Sequence, residues 1–344
     1  MVPSTTLADL SNTLFTTAIA VYSLAMVCFC GEYAFGRRGR VARTSVSAVP
    51  AEAPVLVGAG GTAPGTLPPA DRKSPIRPTR RFRGPGRAAG RFGRAAIGLT
   101  VLGALLHAGS ISIRGAAVDR VPWGNMYEFS SAVGLVAVVA FVVLLVRQPA
   151  LRHLGAFVLL PVIVVMFLAG TVLYAKAEPL VPALHSYWLA IHVSAAALAT
   201  GIFMVSGVAT TLYLIRSRWD VAVAVGRTPR FPVSLGSRLP DADSLDRMAY
   251  RTIAFGFPIW TFGIICGAIW AEAAWGRYWG WDPKETWAFI AWVIYAAYLH
   301  ARATAGWKGT RAATINLLGF GAMTFNFFVV NIVISGLHSY AGLN

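Results

Sequence analysis

The sequence has 344 residues, 56% of them hydrophobic and only 13% charged, with a mean hydropathy of +0.60. Soluble domains carry roughly a quarter charged residues, so the formal net charge of +16 does not mark a soluble nucleic-acid binder. The charge is clustered, and long stretches hold none.

Crossing a bilayer as a helix takes about 20 apolar residues. Uncharged runs of that order occur at 10–31, 95–113, 129–146, 154–175, 179–215, 252–271, 286–301 and 312–344. One span is read in each, which predicts an all-α integral membrane protein of about eight transmembrane helices. The runs at 129–146 and 286–301 are short, but their polar flanks can snorkel or extend the helix.

No Lys or Arg precedes the first run, and basic residues begin after it at Arg37. A cleaved signal peptide has the reverse order, so residues 1–35 read as a retained transmembrane helix. Residues 36–92 hold twelve Lys/Arg, two acids and eight prolines, and are expected to form a disordered basic linker. Residues 93–344 then form one membrane domain, with the first helix as an appendage. The remaining positive charge falls in alternate loops, at Arg147 and Arg152, Arg216 and Arg218, and Arg302, Lys308 and Arg311. Positive loops mark the cytoplasmic side, which puts both termini outside. Cys28, Cys30 and Cys266 form no C-x-x-C, so this chain is not expected to supply thiol-reductant chemistry.

The segment 270–292 is the most informative. Trp260, Trp270, Trp275, Trp279, Trp281, Trp287 and Trp292 fall close together, with Gly276 and Gly280 between. An interfacial aromatic belt explains tryptophans at helix ends. Trp275, Trp279 and Trp281 lie in the connecting loop, where they can make an apolar shelf for a large planar ligand; spacing alone leaves both readings open. Asp282 fits a helix N-cap, Pro283 the first helical position and Glu285 the third residue of a capping box. Both acids therefore read as structural.

Histidine inside a membrane span is costly and points to function. His192 lies just inside the outer end of the fifth span, and His338 follows the eighth at the same level. Two neutral imidazoles beside an apolar shelf suit a bis-histidine haem site; polar helix ends wetted by water are the alternative. Zinc fits less well, because neither histidine has close ligand spacing. His300 is seventeen residues beyond Pro283, about 26 Å along the helix, and cannot share that site. It either ligates at a second depth or bonds to a neighbouring helix. His107 and His185 read as structural.

Trp275-Gly-Arg-Tyr-Trp279-Gly-Trp281-Asp-Pro-Lys-Glu285, followed by Trp292-Val-Ile-Tyr-Ala-Ala-Tyr-Leu-His300, resembles the tryptophan-rich "WWD" signature of haem-handling proteins. The resemblance is to the polytopic subunit of the System II (Ccs/Res type) cytochrome c synthase. Pro122-Trp-Gly-Asn125-Met-Tyr127-Glu128, Ser186-Tyr187-Trp188-Leu-Ala-Ile-His192 and Gly336-Leu-His338-Ser-Tyr340 extend it over about 93–344. It implies that His192 and His338 are paired outer ligands of haem iron beside Trp275, Trp279, Trp281 and Trp287. His300 would be an inner ligand where haem enters the membrane domain. Asp282, Pro283, Glu285, Asn125 and Glu128 would give structural support, and His185 matches no required histidine.

The implied activity is that of a holocytochrome c synthase subunit, a haem lyase. Haem b, the substrate, is moved outward and joined by thioether bonds to the CxxCH segment of apocytochrome c. Implied partners are a second membrane subunit (CcsB/ResB-like), apocytochrome c and a thioredoxin-like thiol reductant, in a bacterial plasma membrane with the active face extracytoplasmic and no nucleic acid. A haem transporter without ligase activity, a System I haem-delivery protein and a lipid-linked transferase are the competing readings.

Overall fold

The computed structural model describes residues 4–35, 87–178 and 186–338. The expected linker lies mostly outside these residues, as does His185. Eight long helices are present among the described residues: α1 Ser4–Phe35, α2 Arg87–Val118, α3 Met126–Arg147, α4 Gly155–Thr171, α5 Tyr187–Ala224, α6 Ala242–Trp275, α7 Pro283–Ala303 and α8 Gly309–Ile332. Short 3-10 turns at Pro149–Leu154 and Val233–Arg238 join α3 to α4 and α5 to α6. All but α7, with α4 taken together with the turn before it (Pro149–Thr171), are long and apolar enough to cross a membrane by length and composition. α7 carries more polar residues, yet its 21 residues extend about 31 Å, and it joins two apolar helices. The chain is an all-α membrane protein.

The helices exceed the uncharged runs because charge sits at their ends. α2 starts at Arg87, inside the stretch expected as linker. The polar approach to the sixth span is continuous with it: Asp241 caps α6, accepting from Ser244 N at 2.8 Å. That bond and the one from the Ser244 hydroxyl outweigh burial and hold the Asp241 carboxyl below its usual range.

α1 lies within the bundle. Phe15, Ala18, Tyr22, Ala25 and Phe29 are almost wholly buried. Ser11 Oγ donates to the Ser110 carbonyl at 2.9 Å, and Glu32 pairs with Arg152 at 2.8 Å. His107, also fully buried, bonds through Nε2 to Ser131 Oγ at 2.9 Å, a structural role.

α5 and α6 approach closely because small residues face each other. A Cβ at Gly256 would meet Phe203 at 2.8 Å, and one at Gly263 would meet Ala195 at 3.4 Å. Lipid offers no hydrophobic drive between helices, so such packing and interhelical hydrogen bonds hold a bundle together. Asn316 of α8 reaches α5 at Ser206 (3.0 Å) and Thr210 (2.7 Å). Trp292 of α7 donates to Thr261 of α6 at 2.9 Å.

The loops alternate between two faces. Among the described residues, one bears 119–125, 172–178, 276–282 and 333–338; the other bears 148–154, 225–241 and 304–308. The basic loops belong to the second. A thiol-reactive, membrane-impermeant reagent applied from outside should therefore label Tyr278→Cys and spare Arg230→Cys. Labelling at 230 would invert the topology.

Candidate functional site

The tryptophan-bearing face opens into a cavity with about 1180 Å³ of free space, counting its mouth. Its wall is mostly apolar, drawn from Phe129, Leu189, Val193, Trp260, Trp270, Met323 and Phe327. His192 and His338 both line it.

The two imidazoles are held in the same manner. His192, one turn into α5, bonds through Nδ1 to the Gly263 carbonyl of α6 at 2.7 Å. That carbonyl can only accept, so Nδ1 carries the proton and Nε2 the lone pair. His338 bonds through Nδ1 to Asp282 Oδ2 at 2.9 Å, which in the neutral ring leaves Nε2 as the lone-pair nitrogen. Histidines that ligate metals characteristically donate their other nitrogen to a carbonyl or carboxylate, which fixes tautomer and ring angle. A Cβ at Gly267 would meet His192 Nδ1 at 2.6 Å, so only glycine leaves room for this ring.

Trp270 sits between the two, its ring centroid 6.1 Å from His192 and 5.7 Å from His338. Trp275 packs edge-on against His338 at 4.9 Å. α6 then stops at Gly276, whose φ of 69° is the left-handed conformation that favours glycine. Trp281 has φ 56°, a conformation costing a non-glycine residue about 1–2 kcal/mol. The turn sends the Trp281 ring outward, 64% exposed.

Asp282 joins the loop to the chain end. It caps α7, with the reciprocal Glu285 bond of a capping box. Its Oδ1 also accepts from Leu337 N at 2.8 Å. Burial raises the Asp282 pKa, but the bonds from His338 and Leu337 overcome this and hold the carboxyl below its usual range. It is therefore ionised at neutral pH and able to accept. Glu285 Oε2 accepts from Gly280 N at 2.8 Å and Asp282 N at 3.1 Å, so it tightens the turn.

Of the tryptophans singled out in sequence, Trp279 lines the cavity and Trp275 supports His338. Trp281 stacks edge-on against Trp279, and Trp287 packs on Phe325 at 4.1 Å; neither lines the cavity. Asn125 lines it and caps α3 through Glu128 N at 2.9 Å. Glu128 lies behind the wall, fully buried between Arg114 (2.8 Å) and Arg120 (2.9 Å), and accepts from Gly124 N at 2.8 Å. Pro283 opens α7. His300 is exposed near the other end of α7, well away from the cavity.

Sequence reasoning gave no site role to Trp123, Trp270, Lys284 or Asn326, which also line the cavity. Asn326 carried a signal, being an amide within an apolar span. The bond from Asp282 to His338 spans 56 residues and has no local signature.

These features define a polytopic helical membrane protein with a paired-histidine cavity at one face. The chain belongs to the Cytochrome C assembly protein family, which it matches over residues 123–338, and its role is in cytochrome c biogenesis. It is 47% identical over 178 residues to "Cytochrome c biogenesis protein CcsA" of Guillardia theta, covering 49% of this chain and 59% of that relative. The CcsA of Heterosigma akashiwo is 38% identical over 252 residues, covering 65% of this chain and 77% of the relative. That of Synechococcus elongatus is 39% identical over 199 residues, covering 48% and 61%. Among solved structures, "Cytochrome c Heme Lyase CcmF" aligns with 95% of this chain and 47% of its own, at TM-score 0.57 and 17% identity. That likeness is one of fold.

Proposed function

We propose that the cavity holds haem b as substrate, with His192 and His338 as axial ligands, and that the chain works as a subunit of a holocytochrome c synthase. The observation that carries this reading is the matched fixing of both histidines, Nδ1 on Gly263 O and Nδ1 on Asp282 Oδ2, at one apolar cavity. Among the described residues no three His, Cys, Asp or Glu gather as a metal site. Two imidazoles are too few for zinc, whereas porphyrin supplies iron with four equatorial donors and needs only two more.

In this role the chain orients haem and excludes water, and its rate contribution is positional. The reaction adds each thiol of a CxxCH segment across a haem vinyl group, the sulfur bonding to one carbon and a proton to the other. The substrate's histidine would replace one axial ligand. A second membrane subunit of CcsB/ResB type and a thioredoxin-like reductant complete the set, in a bacterial plasma membrane with the tryptophan face outside. The exposed His300 is assigned to a second, inner haem whose other ligand belongs to the partner subunit.

The tryptophans test the reading. Trp279→Ala should lower the haem content of the purified chain several-fold while the protein still inserts. Trp281→Ala, which alters a ring outside the cavity, should change it little. Haem content unchanged in Trp279→Ala would return this loop to a membrane-interface role.

A further inference from the structure

The cavity that receives haem in this reading is polar at its α7–α8 corner. Lys284, the second residue of α7, lines it, and its Nζ donates to the Asn326 carbonyl of α8 at 3.2 Å. The acids beside it in sequence are engaged elsewhere: Asp282 with His338 and Leu337, Glu285 with Gly280 N and Asp282 N. Among the described residues the ion pairs within 4.0 Å belong to other cations. An ammonium group with apolar neighbours and no contacting carboxylate is costly to keep charged.

The neighbouring amide is also incomplete. Asn326 is only 4% exposed, and its side-chain oxygen is buried with no hydrogen-bond partner. Turning the amide by 180° would put its NH2 there, which needs an acceptor. With the amide so turned, the ammonium and the amide NH2 lie side by side, complementary to one carboxylate. Haem carries two, its propionates, on the edge opposite its vinyl groups.

We propose that Lys284 and the Asn326 side chain seat a haem propionate, so that the vinyl edge is turned away from the α7–α8 corner. This rests on the haem reading of the cavity. The axial histidines alone fix the iron and leave the macrocycle free to rotate about the axis joining them. A charge-assisted bond at the rim removes that freedom and decides which edge meets the apocytochrome thiols. Lys284 is thus a specificity-determining residue.

The test is a spectral titration of the purified full chain, in detergent, with haem and with haem dimethyl ester, in which both propionates are neutral. The wild-type chain should bind haem about ten-fold or more tighter than the ester, the range for a hydrogen bond to a charged group. Lys284→Met should bind the two alike, and Lys284→Arg should restore preference for haem. Comparing ratios between variants cancels the ester's different solubility in detergent. A full preference for haem persisting in Lys284→Met, or no preference in the wild type, overturns the proposal. His192→Gly in the same series tests the underlying reading separately. Loss of the low-spin spectrum with both ligands keeps haem in this cavity whatever Lys284 does. A titration like that of the wild type removes haem from the cavity altogether.

Discussion

Replacing His192 or His338 by glycine is expected to abolish the bis-imidazole haem spectrum and cytochrome c maturation, and added imidazole to restore part of both. Each ring approaches the cavity from one side, and removing it leaves a hole of imidazole size beside an open mouth. The fixing partners, Gly263 O and Asp282 Oδ2, remain in place to receive the free base. His300→Gly should behave differently. Its ring lies near the far end of α7 on an exposed face, so a ligand there would be shared with a neighbouring subunit and enclosed by it. Imidazole should restore little, and haem should decline in the cavity if it arrives from that side. The measurement is the haem spectrum and cytochrome c yield of each variant purified with its partner, with and without imidazole. Equal loss in all three variants without rescue would defeat the two-depth assignment.

Glu128→Ala should destabilise the chain by about 3–5 kcal/mol, the usual result of removing one partner from a buried ion pair. Two arginines converge on this carboxylate, Arg114 and Arg120, with side chains 3% and 13% exposed. Without it, two guanidinium groups share a buried space with no counter-charge. Gly124 N would also lose its acceptor, and Gly124 stands in the cavity wall between Trp123 and Asn125. The stability loss should therefore come with lower haem content. Glu128→Gln keeps the acceptor oxygen for Gly124 and should retain more haem than Glu128→Ala at equal thermal stability. Unfolding followed by intrinsic fluorescence, with haem content measured on the same samples, checks both parts.

The helices were legible because hydrocarbon imposes a length and bars charge, so an uncharged run locates each span. The ends were less so. Helices continue past the charged residues at their margins, as α2 does back to Arg87 and α6 back to Ala242. At the other extreme, α8 stops at Ile332 although apolar residues continue through Val333 and Ile334, since Leu337 N and His338 turn back to Asp282. The capping box at Asp282 and Glu285 was readable because its partners lie three residues apart. The second duty of Asp282 was not, because its partner is 56 residues away. Similarly, the tryptophan count identified the loop but not which rings face inward. The backbone turn at Trp281 decides that, and spacing does not encode it.

The polar character of α7 has a consequence for how the protein is made. A charged residue at the centre of a membrane helix costs about 2.5–3.5 kcal/mol to insert, and less near the ends. α7 carries Lys284 and Glu285 at one end and His300 and Arg302 at the other, and its apolar content leaves little in reserve. It enters the bilayer in company: Trp292 reaches back to Thr261 of α6, Arg302 pairs with Asp246 at 2.9 Å, and Lys284 bonds to α8. Chains emerge from the ribosome N-terminus first. The wall that α7 contributes is thus secured only after α8 has been synthesised, and His338, further on in the chain, reaches Asp282 after that. On the haem reading proposed above, a nascent chain would not offer a half-built cavity to haem, because His338 and the carboxylate that orients it come together only once the end of the chain has been made.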